Sequence, residues 1–335
     1  MHFDFLFCSE RSGSNLIAKI LDAHPEVCGP FPSHMMRTFC PKYYLYGDLS
    51  RNENWTDLTD GVADYLAGIF AQWESSVSAE ELRRECSGRT LSEIIRYVYE
   101  KEARTQGKKR VFVKENHAYQ FLPFTLANFP DSRFVWLVRD PRDMALCQRD
   151  SILSGGAQRS MLAWKEDQAE TLKAYGFLKD SGRILLLKFE DLVGRSEETT
   201  RRLCDFLELQ YTPEMLEFHK KPNVAKNAGT ISAWGDLGGP IIADNFGNYR
   251  TGLSEAEIRF VEAYGREEMA ALGYAPDYPE EGDVEKLRAA LPDETTFEIP
   301  RTEAELARYT PFQKVQARLR KRWAERAVDD PLDLR

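Results

Sequence analysis

With 335 residues, 42% of them hydrophobic, the chain can bury one large core or two small ones. Its net charge of −9 argues against broad attraction to nucleic acid or an anionic membrane, so any anion it binds is held by a local basic cluster. No apolar stretch reaches the roughly 20 residues that span a bilayer. The opening MHFDFLFCSE lacks the basic start and cleavage site of a signal peptide. The six cysteines are scattered without a CxxC pair, which points to reduced thiols in a cytoplasmic protein.

In chain order, FDFLFC (3–8) reads as a first buried strand. The turn SERSGSNL follows, then a helix in which Leu16, Ile17, Ile20 and Leu21 recur at helical spacing until His24-Pro25 stops it. The long stretch after it includes TDLTDGVADYLAGIFAQW and SAEELRRECSGRTLSEIIRYVYEKEA. It reads as helical insertions, too long for a simple crossover and placed to form part of a substrate lid. Three more strands are expected at RVFVKE (110–115), RFVWLVRD (133–140) and RILLLKFE (183–190). After the third, Asp140-Pro141 sets an N-cap with proline at the first helical position, and Asp143 favours the positive helix end. After the fourth, SEETTRRLCDFLEL opens a helix with Ser196 as cap, burying Leu203, Phe206 and Leu207. Strands alternating with helices imply a parallel sheet covered on both faces.

A helix pair near 157–178 and 254–272 brackets a Gly-rich stretch, NAGTISAWGDLGGPIIADNFGNYRTG, expected either to loop over the site or to be a mobile segment. From APDYPEEGD onward the sequence turns acidic and Pro-rich, then ends in the basic helix PFQKVQARLRKRWAER. Residues 1–275 therefore read as the main domain and 276–335 as a helical extension. Its basic helix suits a membrane surface, a carrier protein, solvent or a subunit contact, which leaves a homo-oligomer open.

A strand, a tight turn with glycine and a helix together make a phosphate cradle, because backbone N–H groups and the helix dipole converge on an anion. In SERSGSNL those groups come from Ser12, Gly13, Ser14 and Asn15, with the Ser12 and Ser14 hydroxyls as further donors. The triphosphatase loop GxxxxGK[ST] is absent, and with it the hydroxyl that would hold magnesium. That suggests a nucleotide carrying less charge at the transferred group than a γ-phosphate. RFVWLVRDPRDMALC is a second strand ending in a basic turn. If it neighbours the first, Arg139 faces the same carboxyl edge of the sheet, where ligands bind in open α/β folds. Two anion sites on one edge fit a nucleotide with phosphates at two places on its ribose. The alternative for Arg139 and Arg142 is a surface salt bridge with Asp140 or Asp143.

RSGSNLIAKILDAHPEV and FVWLVRDPRDMAL resemble the 5′-phosphosulfate and 3′-phosphate motifs of the sulfotransferase family, which uses 3′-phosphoadenosine-5′-phosphosulfate (PAPS) and releases PAP. LLLKFEDLV and NYRTGLSEAEIRFVEAYGREEMAALGY resemble two later family segments, so the resemblance runs from about residue 3 to 275. The LDAHP ending is closer to the tyrosylprotein and bacterial branches. The resemblance implies a P-loop-like α/β fold, a parallel sheet flanked by helices, and sulfuryl transfer from PAPS to a hydroxyl acceptor without a metal. It places Arg11 on the 5′-phosphate and leaving oxygen, Ser12, Gly13, Ser14 and Asn15 in the cradle, and Arg139 on the 3′-phosphate. It places Lys114 beside the reaction centre and Arg250 on the donor. Cys147 stands where the family has a serine on the 3′-phosphate, with Ser151 one turn later as a substitute, and Phe189 replaces the common tyrosine of YEDL.

The general base stays open among His34, in the loop HPEVCGPFPSHMMR, His117, in KENH, and Glu115. Met35, Met36 and Phe39, just beyond His34, line an acceptor pocket or belong to ordinary core. Five isolated histidines and no paired acidic cluster argue against a metal site. A small-molecule, glycan or lipid hydroxyl, a phenol or a peptide tyrosine all fit as acceptor. The competing classes are a P-loop-type nucleotide kinase, which needs ATP and magnesium, and a non-catalytic nucleotide-binding protein.

Overall fold

The computed structural model describes residues 1–149, 156–230, 232–280, 282–291 and 303–328. Five strands, β1 (His2–Cys8), β2 (Val27–Cys28), β3 (Arg110–Lys114), β4 (Phe134–Val138) and β5 (Ile184–Lys188), form one sheet. Their order is β2-β3-β1-β4-β5 and every pairing is parallel. The fold is the expected P-loop-like α/β architecture, with β1 central and β4 beside it. The edge strand β2, two residues long, is too short to show any periodicity in the sequence and was not expected.

Side chains alternate along a strand, and this sorts the apolar residues into two cores. Phe3, Phe5 and Phe7 of β1 enter one with Val111, Val113, Phe134 and Trp136, while Leu6 and Cys8 enter the other with Phe112, Val135 and Leu137. Each fully buried side chain of this size contributes about 1.5–3 kcal/mol. Asp4, which interrupts β1, is buried beside Arg110 and accepts from the Arg133 N–H at 3.1 Å. Burial works against its charge, but hydrogen bonds from His2 and Arg110 hold its carboxyl below the usual value.

Helix α1 (Ser14–Asp22) follows the opening turn, and the long insertion supplies α2 (Met35–Phe39), α3 (Asn52–Ala67) and the helices Ala79–Glu85 and Leu91–Thr105. Met35, Met36 and Phe39 are fully buried in the first core, which settles them as core rather than pocket. Asp140 Oδ1 accepts from the Arg142 N–H at 2.9 Å and so caps the helix Pro141–Arg149. Ser196 does not cap its helix. It is the first helical residue, and its hydroxyl donates to the Val193 carbonyl at 3.0 Å.

The C-terminal helix Glu303–Val328 lies against α3. Val315, Leu319 and Trp323 are buried there, and Arg322 and Arg326 pair with Asp57 at 3.1 and 2.7 Å. Among the described residues, no helix is long and apolar enough to cross a membrane.

Candidate active site

In a parallel sheet the strand carboxyl ends open onto one edge, and here four of them converge on a single cavity of about 900 Å³. That is the upper end of the range for ligand sites. The turn after β1 brings Arg11, Gly13, Ser14 and Asn15, β3 ends in Lys114, and β4 and β5 lead into Arg139 and Phe189. His34 and Cys147 join them. Ser12, His117 and Arg250 do not line the cavity, and Ser151 lies outside the described residues.

The cradle is built from strained backbone. Arg11 and Gly13 both occupy the left-handed region, at φ 67° and 87°. For Arg11 this costs about 1–3 kcal/mol. A Cβ on Gly13 would lie 2.3 Å from Phe189 Cδ2, so only glycine fits. Ser12 is buried and spends its hydroxyl on the Ser9 carbonyl at 2.8 Å, closing the turn rather than facing the cavity. Arg11 Nε donates to Cys147 Sγ at 3.2 Å.

Arg139 and Arg142 are close in sequence and differ in fate. Arg142 is locked in a buried ion pair with Asp140 and Glu262, at 2.7 and 2.6 Å, and stacks on Tyr249. Arg139 donates Nη1 to the Arg11 carbonyl at 3.1 Å and lies 4.3 Å over the Phe189 ring. Its Nε is buried with no hydrogen-bond partner among the described residues, as is Asn15 Oδ1. A buried polar group left unmatched costs about 1–3 kcal/mol, so these atoms fit a polar ligand lying against the cradle. Arg250 stacks on Tyr249 and pairs with Asp277 at 3.3 Å, well exposed.

Across the cavity, Lys114 Nζ donates to Asn116 Oδ1 at 2.7 Å, and Asn116 Nδ2 donates to Glu10 Oε1 at 2.8 Å. Arg37 reaches the same carboxylate at 3.0 Å. Burial holds the Lys114 ammonium below its usual value. His34 stands nearby at φ 56°, with its side chain 27% exposed and Nδ1 sealed inside without a hydrogen-bond partner among the described residues. The exposed part of the ring is therefore not the Nδ1 atom. Nδ1 is 3.8 Å from Glu115 Oε2, while Glu115 Oε1 accepts from Ser33 Oγ and Tyr99 Oη, both at 3.2 Å. Burial, then the charges of Lys114 and Arg37, hold His34 well below its usual value. Burial pushes the Glu115 carboxyl up to about 7. His117 is committed elsewhere, with Nδ1 2.9 Å from Asp167 Oδ1.

Several cavity residues were not singled out from the sequence: Glu10, Arg37 and Asn116 on the polar side, and Trp234, Phe312 and Arg320 on the far wall. The Gly-rich stretch does reach the site, through Trp234, Leu237, Ile241 and Asn245. For the C-terminal helix a signal existed in the sequence, since 312, 316, 320 and 323 fall on one helical stripe.

The Sulfotransferase family model matches residues 5–213, more than half of the chain. A Caenorhabditis briggsae protein assigned to the protein-tyrosine sulfotransferases is 24% identical over 217 residues, covering 63% of this chain and 66% of that protein. Carbohydrate sulfotransferase 2 of Mus musculus is 34% identical over 93 residues, 28% of this chain and 17% of that protein. The chain thus spans less than two thirds of the length of either. In fold, it resembles the sulfotransferase domain from the Synechococcus PCC 7002 olefin synthase, with a TM-score of 0.60 at 15% identity over 82% of this chain and 95% of that one. The matched segment contains the end of β1, the whole of β2 to β5 and the turn that carries Arg11, and the chain belongs to the sulfotransferase family.

Proposed function

We propose that the protein transfers a sulfuryl group from PAPS to a hydroxyl acceptor by in-line displacement and releases PAP. The observation that supports this most is the pair of separate cationic positions on one sheet edge, Arg11 after β1 and Arg139 after β4, the second with an unmatched buried N–H. When bound, PAPS supplies the sulfuryl group with an adenylate phosphate as its leaving group. Arg11 and Lys114 stabilise negative charge on that side of the cavity. The backbone from Ser12 to Asn15 and the positive end of α1 hold the 5′ side. Arg139 and Cys147 hold the 3′ side, where family likeness adds Ser151, while Arg250, paired with Asp277 off the cavity, would have to turn to reach it. His34 takes the acceptor's proton, and Glu115 is its positioning residue at Nδ1. In this reading 1–275 form the catalytic domain and 276–335 an extension that closes the acceptor side. The relatives' names point to tyrosine and sugar hydroxyls, and the free state of all six cysteines supports a cytoplasmic setting.

Ligand-dependent thermal unfolding tests the donor assignment. PAP in hundredfold excess over its Kd should stabilise the protein by about 2.7 kcal/mol, with ATP and adenosine 5′-phosphosulfate giving less. A protein whose melting ignores PAP would end this reading. Removing one partner of a desolvated charge pair costs about 2–5 kcal/mol. Arg139→Ala should therefore lose most of the preference for PAP over adenosine 5′-phosphate, and a variant that keeps it places the 3′-phosphate elsewhere.

The His34–Glu115 pair also sets a pH dependence. His34, held well below its usual value, is neutral through the neutral range and able to accept a proton. Glu115 is protonated below about pH 7 and ionised above it, where it can accept from His34 Nδ1–H. Single-turnover transfer should rise as pH passes about 7. Glu115→Gln should move that acidic limb below the ordinary histidine range and lower the plateau. A limb that stays at its wild-type position in this variant belongs to another group.

A further inference from the structure

The C-terminal helix lies beyond the residues the family model matches, yet it walls the cavity. Phe312, Gln316, Arg320 and Trp323 share one face of it, and all four line the site. The neighbouring face is anchored by Val315 and Leu319 in the core and by Arg322 and Arg326 on Asp57. The stripe is therefore a fixed wall.

Its two ends differ in chemistry. At one end Phe312 packs on Phe70 and Tyr65, with ring centroids 4.6 and 6.0 Å apart. The Tyr65 hydroxyl donates to the Ser33 carbonyl at 2.9 Å, so the aromatic end adjoins His34. At the other end Arg320 and Lys42 are exposed at the cavity, and neither side chain has a hydrogen bond or ion pair among the described residues. Trp323 joins the two, donating Nε1 to Tyr46 Oη at 3.1 Å, four residues past Lys42. At 1.5 Å per residue Phe312 and Arg320 lie about 12 Å apart along the helix. The acids of the lining are mostly taken. Glu10 binds Arg37, and Asp143 accepts from the Gly247 and Tyr249 N–H groups at 2.6 and 3.0 Å. Asp236, on the segment of Trp234, is the one other acid of the lining among the described residues.

A trough that is aromatic at the His34 end and cationic at the other suits a ligand that is apolar along its length and anionic at its tip. Resting on the sulfotransferase reading above, we propose that the acceptor is an amphiphilic alcohol. Its hydroxyl points to His34, its apolar body lies along Phe312 and Phe70, and a carboxylate or phosphate is held by Arg320 and Lys42.

Calorimetric titration of the full chain saturated with PAP tests this, using 10-hydroxydecanoate, its methyl ester and 10-hydroxydecyl phosphate. The wild type should bind an anionic probe about tenfold more tightly than the ester, a difference of about 1.4 kcal/mol. The tighter of the two anions names the group. The double variant Lys42→Gln/Arg320→Gln, altered only at exposed positions, should bring all three probes within about twofold while binding PAP as the wild type does. Equal binding of ester and anions by the wild type overturns the proposal, as does a preference that survives in the double variant. If PAP itself fails to bind, the donor assignment falls, and the same three titrations without PAP still decide the acceptor class.

Discussion

Arg11→Ala is expected to slow single-turnover transfer by about 10²–10³, the scale for removing one preorganised donor from developing charge, with a smaller loss in PAP affinity. The asymmetry follows from where the residue sits. Its backbone carbonyl is held by Arg139 Nη1 at 3.1 Å, a bond that the truncated side chain does not break. The cradle that binds the donor should therefore persist while the charge is gone. Arginine also does what a lysine cannot. Its rigid fork donates Nε to Cys147 Sγ at 3.2 Å and has further N–H groups on the same plane, whereas an ammonium is a single point charge. Arg11→Lys should accordingly recover part of the rate and not all of it. Single-turnover kinetics at saturating PAPS, beside calorimetric PAP titration, separate the two effects. Equal losses in rate and affinity would mean that Arg11 only binds ground-state donor, and a near-normal rate would remove it from the chemistry.

The parts of this molecule that local pattern controls were readable, and the parts that depend on distant partners were not. β1, β3, β4 and β5 announce themselves as short apolar runs, and the Asp140-Pro141 cap is a local device with a local signature. By contrast local pattern does not tell Arg139 and Arg142, three residues apart, from one another, and only the family resemblance singles out Arg139. What separates them is Glu262, 120 residues downstream, which takes Arg142 into a buried pair and leaves Arg139 on the cavity. Arg250 was assigned to the donor through family likeness, while its guanidinium here rests on Asp277.

Burial has the same effect on titration. Glu115 looks like an ordinary strand-end acid, and burial raises its carboxyl to about 7 although Lys114 and the hydrogen bonds from Tyr99 and Ser33 pull it down. Lys19 follows α1's polar periodicity yet is fully buried, with Nζ 3.2 Å from Asp22 and 4.1 Å from the Phe31 ring. The far wall of the cavity was the least legible feature. It joins α2 and α3 to a helix more than two hundred residues later, and the stripe at 312, 316, 320 and 323 shows that this helix has such a face without showing which segment it meets.

His34→Ala is expected to cost about 10²–10⁴ in the rate of sulfuryl transfer, the usual range for a lost general base, with PAP affinity nearly intact. The loop that carries it is held from several sides. Asp22 Oδ1 accepts from the Gly29 N–H at 2.9 Å, Trp73 Nε1 donates to the Phe31 carbonyl at 2.8 Å, and Phe31 lies between Lys19 and Trp234. Pro30 and Pro32 each fix their own φ. These contacts do not involve the imidazole, so truncating it should leave the loop and the donor site in place. The ring's Nδ1 is sealed toward Glu115, and its exposed remainder belongs to a residue that lines the cavity with Lys114 and Arg11. That is the geometry a proton acceptor needs. His117→Ala should cost far less, because His117 lies off the cavity with Nδ1 bound to Asp167, and Tyr119 still donates to that carboxylate at 2.7 Å when the imidazole is removed. Single-turnover transfer by both variants, at saturating PAPS and with an unactivated alcohol as acceptor, decides between them. Should the His34 variant react at the wild-type rate while the His117 variant is inactive, the base sits on the turn after β3, and the 29–34 loop serves only to close the cavity.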